Sequence, residues 1–124
     1  MKKVIATVDA PKAVGPYSQA IEVNGTLYIS GQIPVNPADG KIQEEITAAA
    51  HQSLKNIGAI LKEAGMTYDN VVKTTVLLAD IADFKAVNEV YAEYFTGDKP
   101  ARACYQAAAL PLGVKVEIEA IAVK

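Results

Sequence analysis

The chain has 124 residues, 51% of them hydrophobic, and a formal net charge of −2. That size fits a single domain over residues 1–124, with a substantial core but no room for a second one. Its scattered lysines form no phosphate-binding patch, which argues against nucleic acid. No apolar run approaches the roughly 18 residues of a membrane span, so no membrane association is expected either.

Residues 1–9 carry two lysines without the sustained apolar stretch of a secretory signal, and read as a short first strand. Residues 17–23 and 26–30 flank Asn24-Gly25, the strongest local signal for a hairpin. Residues 31–40 (Gly31 to Gly40) are dense in turn formers and read as a loop. From residue 45 to 64 the period changes. Ile46, Ala50, Leu54, Ile57, Leu61 and Ala64 recur in three- and four-residue steps, one apolar stripe of a helix, and Gly65 sits where a left-handed cap is wanted.

Residues 71–79 are β-branched and continuous, hence a largely buried strand. Asp80 is placed to cap a second helix with a core face of Phe84, Val87, Tyr91 and Tyr94 or Phe95, ended by Gly97 and Pro100. Two more strands, 101–107 and 114–123, are separated by Leu110-Pro111-Leu112-Gly113. The order β-β-β-α-β-α-β-β predicts an α+β fold, a mixed sheet with two helices on one face. In the last strand Val116, Ile118, Ala120 and Ala122 share one face, and Glu117, Glu119, Ile121 and Val123 the other. Apolar residues on both faces, with only two helices as cover, predict self-association.

The chemistry-bearing residues are few. One cysteine, Cys104, and one histidine, His51, cannot make a zinc site and fit a metal-free protein of a reducing, cytoplasmic compartment. Of twelve basic residues, eleven are lysine. The single arginine, Arg102, lies in Pro100-Ala101-Arg102-Ala103-Cys104. A planar, permanently charged fork suits a carboxylate or phosphate, although an edge-strand arginine paired with a surface acid has the same pattern. If strands 101–107 and 114–123 are neighbours, Glu117 stands near Arg102, either as a structural ion pair or as a group that orients a water. Glu119 points the same way, and periodicity does not choose between them.

Thiol catalysis by Cys104 lacks a base, because His51 lies off the apolar stripe of the first helix and reads as exposed. Ser30-Gly31 ends a strand where backbone N–H groups could approach a ligand. Gly15-Pro16-Tyr17 is a further ordered turn.

Taken together these residues resemble the Rid family (reactive intermediate deaminases, formerly YjgF), in its RidA-like, arginine-containing form. The likeness runs through Gly15-Pro16-Tyr17-Ser18-Gln19, Ser30-Gly31-Gln32-Ile33-Pro34, Val72-Lys73-Thr74-Thr75-Val76, Val87-Asn88, Pro100-Ala101-Arg102-Ala103-Cys104 and the stretch from Leu110 to Ala122. The resemblance implies a chorismate-mutase-like fold assembled as a homotrimer with sites between subunits. It also implies a cofactor-independent hydrolase of 2-imino acids and enamines (2-aminoacrylate, 2-iminopropionate and 2-iminobutyrate types), yielding 2-keto acids and ammonia.

On that resemblance Arg102 holds the substrate carboxylate and Glu117, rather than Glu119, the attacking water. Tyr17, Ser30, Gly31, Asn88 and Cys104 line the site, Cys104 through its backbone. One departure stands out: where the family has a Val-Glu-Val-Ala-Arg-like segment, this chain has Tyr105-Gln106-Ala107-Ala108-Ala109. The alternative is a non-catalytic trimer that binds small carboxylates as a sensor or docking protein. RNA cleavage, attached to some relatives, lacks a basic patch, an aromatic stacking strip and a histidine pair here.

Overall fold

A computed structural model describes all residues, 1–124. Strands β1 (Lys3–Ile5), β2 (Ala20–Val23) and β3 (Thr26–Gln32) form an antiparallel meander, followed by helix α1 (Ile46–Glu63), strand β4 (Val71–Leu78), helix α2 (Phe84–Tyr94) and strands β5 (Ala101–Gln106) and β6 (Val116–Val123). The six strands make one sheet in the order β1-β2-β3-β6-β4-β5, antiparallel throughout except for the parallel β4–β5 pair. The expected α+β arrangement is therefore present, with two helices and a mixed sheet.

Local chemistry accounts for most boundaries. Asn24 and Gly25 both take positive φ, 50° and 78°, the backbone that a two-residue hairpin turn requires. Glu45 caps α1 by accepting from the Thr47 amide at 2.6 Å, and Gly65 closes the helix at φ 74°. Asp80 caps a 3-10 turn, residues 81–83, that runs directly into α2.

The core lies between the helices and one sheet face. Ala50, Leu54, Ile57 and Leu61 of α1 and Val87, Val90, Tyr91 of α2 are buried, as are Leu27, Val76, Leu78, Val116, Ile118, Ala120 and Ala122 of the sheet. The opposite face has no helix on it. It carries Tyr28 and Val123, both substantially exposed, together with Glu117, Glu119 and Ile121.

Three expectations need correction. First, β5 and β6 are not neighbours: both pair with β4, from opposite sides. The connection through α2 makes β4 and β5 parallel, and the only free place beside β4 for such a strand is the outer edge. Second, β3 does not end at Ser30 but continues to Gln32. Between the pairs Ile29–Ala120 and Gln32–Ile118, Ser30 and Gly31 together oppose Glu119, a β-bulge. Third, the 17–23 strand begins only at Ala20, because residues 15–18 form a turn in which Gly15 takes φ 130° and the Tyr17 amide donates to its carbonyl at 2.9 Å.

Candidate active site

Arg102 sits on the helix-facing side of the edge strand β5, in register with Thr74 of β4. Its Nη1 donates to Asn88 Oδ1 at 2.8 Å. Its guanidinium carbon lies 4.8 Å from the centroid of the Tyr91 ring and 5.6 Å from that of Phe84. Phe84, Asn88 and Tyr91 follow one another at helical spacing, so one stripe of α2 covers the guanidinium. No carboxylate pairs with it. The ion-pair contacts of the chain are Lys124–Glu22 at 3.2 Å and His51–Glu93 at 3.8 Å. One of five guanidinium N–H groups is engaged by a neutral acceptor, which leaves the others for an anion.

Cys104 is two residues further along β5, on the same face and half-buried against the core. Burial pushes its thiol up, with the Arg102 charge pulling the other way. A thiol held protonated in this way is a poor nucleophile.

Glu117 is on the other side of the sheet. Its register partner on β4 is Leu77, whereas the residues of β4 that share a face with Arg102 are Thr74, Val76 and Leu78. The carboxylate rests over Gly31, where a Cβ would overlap it. Gly31 thus serves as the floor of the Glu117 position, a close approach that no larger residue allows. Burial pushes the Glu117 carboxyl above the usual range, and the neighbouring Glu119 adds to the effect.

Tyr17 and Ser30 line a groove of about 520 Å³ on this open face, with Tyr28, Lys73, Thr75 and Glu119. Ser30 Oγ donates to the Ser18 carbonyl at 2.6 Å and its amide to the Gln19 carbonyl at 2.9 Å, so the bulge holds the Tyr17 turn in place. Buried Gln19 completes the tie: its amide nitrogen donates to the Pro11 carbonyl at 2.8 Å and its oxygen accepts from the Thr7 amide at 2.7 Å.

The seven candidate residues therefore fall into two groups, Arg102, Asn88 and Cys104 on one face, and Tyr17, Ser30, Gly31 and Glu117 on the other. A single chain does not bring Arg102 and Glu117 together, either as an ion pair or as one site. His51 is not the exposed residue expected. It is half-buried, with Nδ1 2.7 Å from the Tyr94 hydroxyl, and bridges the two helices away from both groups. No three of the His, Cys, Asp and Glu side chains are grouped to hold a metal ion. The sequence reading gave Thr74 no role in the site and read Phe84 and Tyr91 as core alone: Tyr91 is indeed buried, whereas Phe84 is 40% exposed. The i, i+4, i+7 spacing of Phe84, Asn88 and Tyr91 was the signal that could have linked them to Arg102.

A six-stranded mixed sheet, two helices on one side and a solitary arginine on the edge strand define the class to which this chain is comparable. A family model described as Endoribonuclease L-PSP matches residues 7–124, and the chain belongs to that family, the Rid family. The Mus musculus protein named 2-iminobutanoate/2-iminopropanoate deaminase is 58% identical over 100% of this chain and 93% of its own length. The Homo sapiens protein of the same name is 55% identical over 100% of this chain and 91% of its own. Among solved structures, a Rid family protein from Yersinia pestis superposes with a TM-score of 0.97 at 50% identity, covering 100% of both chains. E. coli TdcF with bound serine superposes with a TM-score of 0.96 at 43% identity, covering 98% of each. No helix is long and apolar enough to cross a membrane.

Proposed function

We propose that this chain is a 2-iminobutanoate/2-iminopropanoate deaminase, a hydrolase that converts 2-imino acids to 2-keto acids and ammonia. The observation that carries the reading is the state of Arg102: half-buried, held by a neutral amide and two aromatic rings, and free of any acid. A permanent intramolecular ion pair would have removed it from substrate binding. Full-length relatives named for this activity support the same conclusion.

The complete site is formed between copies of the chain. Arg102, Asn88 and Cys104 of one protomer face Tyr17, Ser30, Gly31 and Glu117 of its neighbour in a homotrimer. Two features support this arrangement. β5 has a free edge beyond Arg102, a row of unpaired backbone groups that isolated proteins rarely leave open. The open sheet face carries exposed Tyr28 and Val123 beside the Glu117 group, as a covered surface would. A reducing compartment such as the cytoplasm suits a chain whose only cysteine is free.

Arg102 would grip the substrate carboxylate through two parallel hydrogen bonds and fix the C=N carbon beside a water held by Glu117. The ionised carboxylate takes a proton from that water as its oxygen bonds to C2. The proton passes on to the imine nitrogen, which gives the carbinolamine. Glu117 then takes the proton of the new hydroxyl and delivers it to the amino group, so that the C–N bond breaks as the C=O bond forms, and ammonia leaves with a 2-keto acid behind. Such proton help is worth roughly 10²–10⁴-fold. The raised carboxyl of Glu117 suits both halves of the exchange.

The test couples an amino-acid oxidase or a serine/threonine dehydratase to the protein and follows keto-acid release. The wild type accelerates the release and Arg102→Ala does not. Equal rates with and without protein overturn the assignment.

A further inference from the structure

We propose that Thr74 and Tyr91 are the positioning pair that fixes the Arg102 fork, a polar clamp buried behind the carboxylate site. The inference rests on the reading of Arg102 given above and adds residues that never touch substrate.

Thr74 is completely buried on β4, flanked by Arg102 of β5 on one side and Ala120 of β6 on the other. Its hydroxyl lies 2.7 Å from that of Tyr91, itself only 7% exposed. The two hydroxyls satisfy each other beside a hydrophobic core that includes Val76, Val87 and Ile118. Packing alone does not call for them, since valine and phenylalanine have nearly the same shapes and carry no desolvation cost. The bond instead pins the end of the tyrosine ring to the strand next to Arg102. The pinned ring lies 4.8 Å from the guanidinium carbon and forms one wall of its bracket, which the Phe84 ring at 5.6 Å and Asn88 Oδ1, 2.8 Å from Nη1, complete. An arginine left to itself has many rotamers to lose on gripping a carboxylate, and a fixed wall removes part of that loss before substrate arrives. Burial pushes the Tyr91 phenol up, so the hydroxyl remains protonated through the pH range in which the enzyme would work.

The experiment uses the full chain as wild type, Tyr91→Phe, Thr74→Val, Thr74→Ser and the Thr74→Val/Tyr91→Phe pair. It measures kcat and KM on oxidase-generated 2-iminobutanoate, the Kd of 2-oxobutanoate, and the melting temperature. Tyr91→Phe and Thr74→Val each raise KM and the keto-acid Kd by about three- to tenfold, the scale of one lost hydrogen bond, while kcat stays within about twofold. Thr74→Ser, which keeps the hydroxyl, retains the wild-type KM. The double variant is no worse than either single one. An unchanged Kd in Tyr91→Phe overturns the clamp. So does a double variant that regains wild-type affinity, because the loss then came from an orphaned hydroxyl and not from the freed fork. A wild type that binds 2-oxobutanoate but releases no keto acid sinks the deaminase reading alone, and the Kd series still decides the clamp.

Discussion

Arg102 and Glu117 stand on opposite faces of one sheet, separated by the strand β4 with which both of their strands pair. No side-chain rotation carries one to the other, because the sheet itself lies between them. If they share a substrate, they do so across a boundary between protomers. Inactive Arg102→Ala and Glu117→Gln chains, unfolded and refolded together in equal amounts, then regain activity. Random mixing in a cyclic trimer leaves about a quarter of the sites with both wild-type groups, so the mixture recovers roughly a quarter of wild-type turnover. Keto-acid release from the mixture that stays at the level of the separate variants would show that Arg102 and Glu117 do not complete one site across a protomer boundary.

The Glu117 environment predicts a pH profile. Burial and, after it, Glu119 raise the carboxyl, and the general base must be ionised, so activity falls as pH drops through this raised value. The acid limb of kcat/KM therefore lies above the ordinary carboxylate range, and Glu119→Gln moves it down. Stability follows the same group with the opposite sign. A carboxyl raised in the folded state contributes stability at low pH and loses it as pH rises through the folded value. Glu117→Gln, uncharged throughout, melts higher than the wild type near neutrality, and the difference closes as pH falls below the usual glutamate range. Melting curves at pH 4 and pH 7.5 supply the check.

The two halves of the site were unequally legible in the sequence. Arg102 could be singled out because it is the only arginine among lysines, and the α1 stripe and the Asn24-Gly25 turn follow from local chemistry that any chain obeys. The position of β5 was not legible, since sheet order depends on contacts far apart in sequence. The bulge at Ser30-Gly31 escaped notice because its glycine reads equally well as the start of a loop. The departure at Tyr105-Gln106 had no visible purpose in the sequence. In the fold Gln106 Oε1 accepts from the Ile81 amide at 3.0 Å, which ties the end of β5 to the entry of α2.

Gly58 offers a stability test of the helix layer. A glycine inside a helix ordinarily gains about 1 kcal/mol when replaced by alanine. Here a Cβ would overlap the Tyr68 hydroxyl, which donates to the Leu54 carbonyl at 2.6 Å. Gly58→Ala accordingly destabilises by about 1–3 kcal/mol, the usual cost of overpacking. In a Tyr68→Val background the same change becomes stabilising. Urea titrations of the four proteins complete the cycle.

Gly31 makes the corresponding test of the Glu117 group. Its φ is not among the positive values of the chain, so alanine meets no backbone strain there. The added methyl meets the Glu117 carboxylate instead, with Cδ 2.8 Å and Cγ 3.0 Å away. A flexible carboxylate can swing aside, and Gly31→Ala is then expected to fold, at a cost of about 1–3 kcal/mol. The water that Glu117 held is lost with the swing, so kcat falls by about 10²-fold or more while 2-oxobutanoate binding to Arg102 changes little. Adding Glu117→Ala removes the overlap and restores stability without restoring turnover. Should Gly31→Ala keep wild-type kcat, the carboxylate over this glycine is not the group that handles the water, and Glu119, next on the same face, takes its place.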